Sequence, residues 1–570
     1  KEHYKQKKWL LKLKTILALG LLLFATSAMA QLNGTYTIDS STVTSGTNYQ
    51  SFVDFADTIN KYGVSGPVTV NVVSNSGPYN QWVEFKDIAG SSSTNTITLN
   101  GNGNTVSHAG SSSQSPVFTF SSTDHFTLDN LVIENTGSDY GRCVQIRDVS
   151  TYVTISNCQL NMPNMTDRFQ SNCYVLLGNG GYNDLKVSGN AAEHCLITKN
   201  VTKGGSAWYG MVIKDLDNST GKEFNTIHDN EVKNFSAEGI SSYSGDEGTT
   251  ITNNRIHNTG AYGVCVYHSA SMGGANISNN IIYDLKGTSE CYGIFYANSN
   301  VKGTKKGLLS NNIIHLIAAD AKSTYGIYCY SYGDNGGADV LNNTIAITKA
   351  PNVKVNKSIT LLEVDYFKGD VKNNIMYSDV NLTAGGSIDG ITYDAYGGFG
   401  PPVIDNNNIH LEDVTNTGGT INYGKVERST FYNSFNDLVS AGVGTNWINE
   451  TVSFADVTNQ DYSISSFGLS NKGIPVSLLT DINGKTRNTT TPDLGAIEFD
   501  LDYSLSNLNF TTNPNECSNF SEPVEITYKN ECSFPVSNIS LTYDINGQNA
   551  VTETMDGPIA VGATANYTFE

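Results

Sequence analysis

Short apolar runs alternate with clusters of Gly, Asn, Ser and Asp over most of this chain, and the runs repeat. The pattern apolar-x-Asn-Asn-x-apolar occurs as ITNNRI from Ile251, ISNNII from Ile277, LSNNII from Leu309, VLNNTI from Val340, VKNNIM from Val371 and IDNNNI from Ile404, at spacings of 26, 32, 31, 31 and 33 residues. Looser copies stand earlier: LDNLVI from Leu128, ISNCQL from Ile155 and IHDNEV from Ile227. Between them runs a second motif, YGMVI from Tyr209, EGISS from Glu238, YGVCV from Tyr262, YGIFY from Tyr292, YGIYC from Tyr325 and DGITY from Asp389. Each period therefore holds at least two short strands bounded by turn formers. A period of this length with no repeated helix predicts an all-β solenoid, a parallel β-helix. Leucine-rich repeats need a stricter leucine pattern, and propeller blades need four strands in about 40–50 residues.

In such a solenoid each coil climbs by one strand spacing, about 4.8 Å, so equivalent side chains stack. A lone buried amide is costly. A column of identical Asn side chains can bond along the ladder and to turn backbone, which makes the Asn pairs architectural rather than catalytic. Near the N-terminus Phe52, Phe55, Ala56, Ile59 and Tyr62 form an apolar stripe at helical spacing that ends at Gly63. Such a helix would plug the first coil, whose interior and strand edge would otherwise be open.

The stretches ITNNRIHN…AYGVCVYHS and ISNNIIYD…CYGIFYANS resemble the right-handed parallel β-helix repeats of the pectin-lyase-like superfamily, over about residues 120–500. Residues 51–80, SFVDFADTINKYGVSGPVTVNVVSNSGPYN, resemble the start of exported β-helix proteins of Bacteroidetes-type bacteria. TPDLGAIEFD, residues 491–500, resembles their closing segment. Beyond it, EPVEITYKNECSFPVSNISLTYDINGQ alternates apolar and polar residues as a β-sandwich does. It resembles the cell-adhesion-related (CARDB-like) immunoglobulin-like modules of bacterial surface proteins. The expected organisation is a signal peptide at 1–30, an N-terminal cap and first coils at 31–125, a right-handed parallel β-helix at 126–500, and an immunoglobulin-like β-sandwich at 501–570 that is incomplete at its C-terminal end.

Six lysines in residues 1–14, an apolar run from Ile16 to Phe24 and the small residues of Ala28-Met29-Ala30 predict a secretory signal peptide cleaved after Ala30. The chain is therefore expected to be secreted or held at the cell surface, and its start, which is not Met, to be incomplete. The apolar run is too short to span a bilayer, and no later segment is long and apolar enough. Loss of residues 1–30 removes six Lys and one Glu and takes the formal charge from −20 to −25. That balance excludes a nucleic-acid partner. It also disfavours acidic glycans unless a local basic patch or a divalent cation intervenes, whereas neutral glycans meet no such barrier. Cys143, Cys158, Cys173, Cys195, Cys265, Cys291 and Cys329 fall in the repeats without metal-type spacing and are expected as small core residues. Cys517 and Cys532 stand apart and could pair. A monomer is expected.

Strand alternation assigns the residue after each motif Gly to the core: Met211, Ile240, Val264, Ile294, Ile327 and Ile391. The second and fourth then face outward: Val212, Ser241, Cys265, Phe295, Tyr328 and Thr392, with Lys214, Tyr243, Tyr267, Ala297, Tyr330 and Asp394. The aromatics among them, Tyr243, Tyr267, Phe295, Tyr328 and Tyr330, are candidates for a platform on which sugar rings of an extracellular polysaccharide or cell-surface glycan would pack. Aromatic residues also favour strands and support one another across a ladder, which needs no ligand. The first motif gives the outward column His257, Tyr283, His315, Ala346, Tyr377 and His410. His257 and His315 lie two coils apart, about 9.6 Å, too far to share a zinc ion, so solvated surface histidines are expected.

For catalysis, Asp217 and Asp246 on neighbouring coils are candidates for a glycosidase carboxylate pair, with Asp215, Glu247, Lys214 and Tyr243 nearby. Asp215, Asp217 and Asp246 are also candidates for a calcium ion, or are plain turn formers. A polysaccharide lyase would draw its base and charge neutraliser from Lys214, Tyr267 and His268. The signature clusters that resemblance to polygalacturonases or pectate lyases would require, such as Gly-His-Gly with a following Arg-x-Lys, are absent. The reading is a protein that binds extracellular polysaccharide or another surface. The alternatives are a polysaccharide lyase or glycosidase and a structural stalk.

Overall fold

Inward apolar residues on three successive short strands close each repeat into a coil, and the computed structural model stacks these coils in parallel as an all-β solenoid. It describes residues 31–165, 172–180, 192–214, 224–244, 248–259, 263–270, 274–285, 289–298, 306–318, 323–331, 337–349, 353–366, 368–394, 401–414, 418–464, 466–499, 505–511, 524–532, 535–545 and 548–569. The expected signal peptide and Cys517 lie outside them. No helix among the described residues is long and apolar enough to cross a membrane. The chain divides into two compact units, Lys1–Phe235 with Ser241–Gly245 and Ser236–Ile240 with Asp246–Glu570.

In the first unit the strands Leu32–Ile38, Val64–Val72, Ile97–Asn100 and Phe126–Asp129 pair in parallel, one per coil. The other two strands of each coil pair likewise, as Val132–Asn135 does with Gln159–Met162 and Arg142–Arg147 with Cys173–Leu177. The expected helix forms over Phe52–Tyr62, started by the Ser51 side chain accepting from the Asp54 N–H. Phe52, Phe55, Ala56 and Ile59 of its stripe are buried and Tyr62 is half-buried: Phe52 meets Tyr79 and Phe118 edge-on at 4.9 and 5.9 Å, and Phe55 meets Phe85 at 6.0 Å. The helix thus plugs the core as its periodicity implies.

In the second unit the first strands of the coils are Thr250–Thr252, Asn276–Ser278, Gly307–Ser310, Ala338–Leu341, Asp370–Lys372 and Val403–Asp405. Their inward residues Ile251, Ile277, Leu309, Val340, Val371 and Ile404 are buried in one column. Ile256, Ile282, Ile314, Ile345, Met376 and Ile409 form a second. Val266, Ile294, Ile327, Leu362 and Ile391 form a third. Burying each such side chain stabilises by about 1.5–3 kcal/mol.

The Asn pair turns the corner between first and second strands, and its two members do different work. The first, Asn253, Asn279, Asn311, Asn342, Asn373 and Asn406, takes the left-handed conformation at φ 48–58°, which Asn tolerates better than most residues. The second points inward. Asn254, Asn280, Asn312, Asn343 and Asn374 each donate through Nδ2 to the Oδ1 of the Asn one coil on, ending at Asn407, at 2.9–3.1 Å. The same Oδ1 atoms accept the backbone N–H of the preceding Asn at 2.9–3.1 Å. A second donor bond reaches back to the preceding coil, as from Asn343 to the Leu309 carbonyl at 2.9 Å. Asn200 and Asn230 repeat the contact in the first unit at 3.0 Å.

The motif glycine has a steric reason as well. A Cβ at Gly326 would stand 2.5 Å from the Leu361 carbonyl and closer still to Ile345 Cγ2. The YGVCV coil departs from the expected register. Val264 pairs with Tyr292 and Val266 with Ile294, so Val266, not Val264, fills the core position, and Cys265 is buried rather than outward. The seven repeat cysteines are all buried, as expected.

The column His257, Tyr283, His315, Ala346, Tyr377, His410 stacks in the expected register, but its middle, from His315 to Tyr377, is buried rather than solvated, while His257 and His410 stay half-exposed. Residues of the segment 452–497 pack on it: Val452, Ile464, Leu469 and Leu494 join Ala346, Ile375 and Tyr377 in one cluster. His315 is buried against Phe454 and Tyr462, and that burial lowers its pKa to about 4. The left-handed Asn residues hold the segment down. Asn311 donates to the Thr480 carbonyl at 2.9 Å, Asn373 to Ile474 at 2.8 Å and Asn406 to Lys472 at 2.7 Å. Within the closing segment a Cβ at Gly495, which sits at φ +82°, would meet Ile375 Cδ1 and Thr344 Oγ1 at 2.6 Å. The described residues between 505 and 569 form a three-stranded and a two-stranded antiparallel sheet.

Replacing Asn343 with Ala removes the donor to Leu309 and the acceptor for two Asn312 donors, so chemical denaturation should show a loss of about 3 kcal/mol or more. Asn279→Ala, at a corner where only the left-handed backbone is at stake, should cost about 1–2 kcal/mol. Equal losses would contradict the distinct roles.

Candidate functional site

The third strands of the second unit, Val264–Ala270, Glu290–Asn298, Ser323–Ser331, Ser358–Asp365, Ser387–Asp394 and Thr420–Val426, carry their outward side chains in axial columns. Strand pairing aligns Tyr267, Phe295, Tyr328, Glu363, Thr392 and Lys425 in one. Tyr292, Tyr325, Thr360, Asp389 and Asn422 form the second, and Ala297, Tyr330, Asp365 and Asp394 the third. Four of the five expected ligand-binding aromatics, Tyr267, Phe295, Tyr328 and Tyr330, therefore share one face.

These rings stack on one another. Tyr267 and Phe295 lie 4.9 Å apart and 7° from parallel, Phe295 and Tyr328 5.1 Å and 22°, Tyr292 and Tyr325 4.6 Å and 7°. Tyr325 meets Tyr328 edge-on at 5.7 Å. Ring faces that cover one another are not open to a sugar, so the face offers ring edges and phenol hydroxyls instead of the flat platform that the sequence suggests.

The remaining candidates lie elsewhere. Tyr243 and Lys214 belong to the first unit, where Lys214 is buried with Nζ 3.9 Å from the Tyr243 ring centre. Tyr243 also packs against the buried cluster of Cys173, Leu176 and Val212. His268 turns inward, in register with the buried Tyr296 and Cys329, and stacks on Tyr296 at 5.0 Å. It is fully buried, neither ring nitrogen has a hydrogen-bond partner among the described residues, and burial lowers its pKa to about 4. Strand parity thus takes His268 away from any substrate. Asp215, Asp217 and Asp246, the carboxylate and calcium candidates, and Glu247 lie outside the described residues.

The strand Ser358–Asp365, SITLLEVD, lacks the motif glycine, because Leu361 stands in its place. Its signal is its place between the Asn pairs at 342 and 373 and its alternation, which sends Glu363 and Asp365 outward. Here the aromatic ladder gives way to carboxylates. Asp365, Asp389 and Asp394 are buried and Glu363 is half-buried. Arg428 pairs with Asp365 at 3.3 Å and with Asp394 at 2.8 Å, and Asn422 donates to Asp389 at 2.6 Å.

Burial, followed by the charge of Asp365, pushes the Glu363 carboxyl up to about 7, against the pull of Lys425. Burial also raises Asp365, opposed first by Arg428, and Asp389, opposed first by the Asn422 amide. Asp365 Oδ1 is buried with no hydrogen-bond partner among the described residues, as is Thr392 Oγ1. A half-buried acid that keeps its proton near neutrality, set among other buried carboxylates, is an arrangement suited to proton transfer.

No family model matches the sequence, and no curated protein matches it. Among solved structures the chain is similar to XylC in complex with xylose, at 10% identity and TM-score 0.43 over 82% of this chain and 98% of that one. It is similar to a tailspike protein mutant of the E. coli bacteriophage HK620 in complex with a pentasaccharide, at 10% identity and TM-score 0.38 over 94% and 86%. A third is a mannuronic acid specific polysaccharide family 6 lyase from human gut microbiota, at 10% identity and TM-score 0.36 over 75% and 89%. The similarity is one of chain path.

Because the native Glu363 holds its proton to a higher pH than an unfolded glutamate, the folded state binds more protons between pH 4.5 and about 7, and stability falls as pH rises through that window. Thermal melts should show Glu363→Gln gaining on the parent protein from the lower to the upper end of the window. A pH-independent difference would contradict the assignment.

Proposed function

We propose that this face binds an extracellular polysaccharide lying along the solenoid axis. The observation that carries the reading is the unbroken column Tyr267, Phe295, Tyr328, Glu363, Thr392, Lys425. It runs from ring edges and phenol hydroxyls into carboxyl, hydroxyl and ammonium groups. An elongated surface that mixes apolar edges with closely spaced donors and acceptors suits a long polyhydroxylated ligand. Glu363, Asp365, Asp389 and Asp394 outnumber Lys425 and Arg428 here, which with the overall negative charge favours a neutral glycan over a polyuronate. In this reading residues 1–30 direct export, and residues 501–570 are an immunoglobulin-like module that helps hold the protein at a surface.

Glycan-array binding tests this. A neutral polysaccharide should be retained, Tyr328→Ala should weaken it about 10-fold or more, and Tyr328→Phe, which keeps the ring stack and loses only the hydroxyl, should weaken it several-fold. Tyr152→Ala, which removes an exposed ring in the first unit, should bind as the parent does. Binding that is indifferent to Tyr328, or no binding to any glycan, would contradict the reading.

A further inference from the structure

We propose that the carboxylate end of this face hydrolyses glycosidic bonds, with Glu363 as proton donor and Asp389 on the next coil as the base that activates water. The inference rests on the polysaccharide reading above and adds chemistry to it. Glu363 is the member of the carboxylate group that reaches solvent, while Asp365, Asp389 and Asp394 are buried around it. Asp365 and Asp394 are tied to Arg428, which leaves Asp389, bound by the Asn422 amide, as the second reacting carboxylate.

Glu363 pairs in register with Thr392, and Asp389 with Thr360. The two acids therefore sit on adjacent coils, about 4.8 Å apart along the axis, and are further separated along the strands. Three residues of strand rise put about 10 Å between their backbone positions along the strand as well, a wide offset that suits an inverting pair, whose carboxyls stand about 6.5–9.5 Å apart with a water between them.

A separate observation points to a ligand. Thr392, 3% exposed, stands between Glu363 and Lys425 in the same column, and its Oγ1 has no hydrogen-bond partner among the described residues. A buried hydroxyl left without a partner is costly. A sugar hydroxyl seated on this column would satisfy it.

The step balances with water as the only co-reactant. Glu363 gives its proton to the glycosidic oxygen as the bond from that oxygen to the anomeric carbon breaks. Asp389 takes a proton from the water whose oxygen forms the new bond to that carbon. The products are two sugar hydroxyl ends, and solvent returns the proton from Asp389 to Glu363. Nothing is oxidised or reduced.

The experiment uses the full chain with soluble xylan, mannan and β-glucan, measuring binding by gel retardation and cleavage by new reducing ends. The parent protein should cleave at least one polysaccharide that it binds, with activity falling as pH rises past neutrality. Glu363→Gln and Asp389→Asn should each lose about 10³-fold in rate while retaining binding and a cooperative melt. Thr392→Val should weaken binding several-fold with the melt unchanged or raised. Binding without cleavage, or cleavage unaffected by Glu363→Gln, overturns hydrolysis and leaves the polysaccharide reading standing. The absence of binding to all three and to the glycan array overturns both.

Discussion

A carboxamide cut off from water must find a partner for each donor and acceptor, and in this protein the nearest suitable partner is the same carboxamide one coil away. The inward Asn of each pair donates to the next Asn and accepts from the one before, from Asn254 to Asn407. Each net bond contributes about 1 kcal/mol, whereas an unmatched buried amide costs more than that. The penalty for misalignment is what makes the column a register device. Apolar columns tolerate sliding because one methyl packs much like another, but a hydrogen-bonded ladder does not.

Everything on the outer faces follows from that register. Because the corner is fixed, the third strands start in phase, and their outward residues line up as Tyr267, Phe295, Tyr328 and Glu363 in spite of loops of unequal length. The left-handed Asn at the same corner serves a second purpose. It turns its amide outward to hold residues 472–480 against the neighbouring face. One face of the coil is thereby sealed and another is left half-exposed, and the perturbed carboxylates lie on the exposed one.

The architecture was legible because it depends on residues that recur. The Asn pairs, the helical stripe from Phe52 and the inward apolar positions each satisfy a requirement that every coil shares. The aromatic face was legible for the same reason, since Tyr267, Phe295, Tyr328 and Tyr330 follow from strand parity. The acidic end was not, because it depends on departures from the repeat. Leu361 replaces the motif glycine and hides the strand that bears Glu363. Gly263 lies two residues out of register and misplaces Val264 and Cys265. Nor does parity report what packs on an outward residue: His315 points away from the core and is buried under a returning segment. Ring stacking is likewise a property of neighbouring coils, so the sequence shows that aromatics share a face without showing that they cover one another.

The site exists only because Tyr328 and Glu363 are direct neighbours on adjacent coils. Cysteines placed at these two positions should form a disulfide under mild oxidation, since paired strands bring their Cα atoms within bridging distance. Peptide mass mapping should then find residues 328 and 363 linked, and should find no link between 328 and a cysteine at the inward position 362. Absence of the first link, or equal yield of both, would contradict the register and the site built on it.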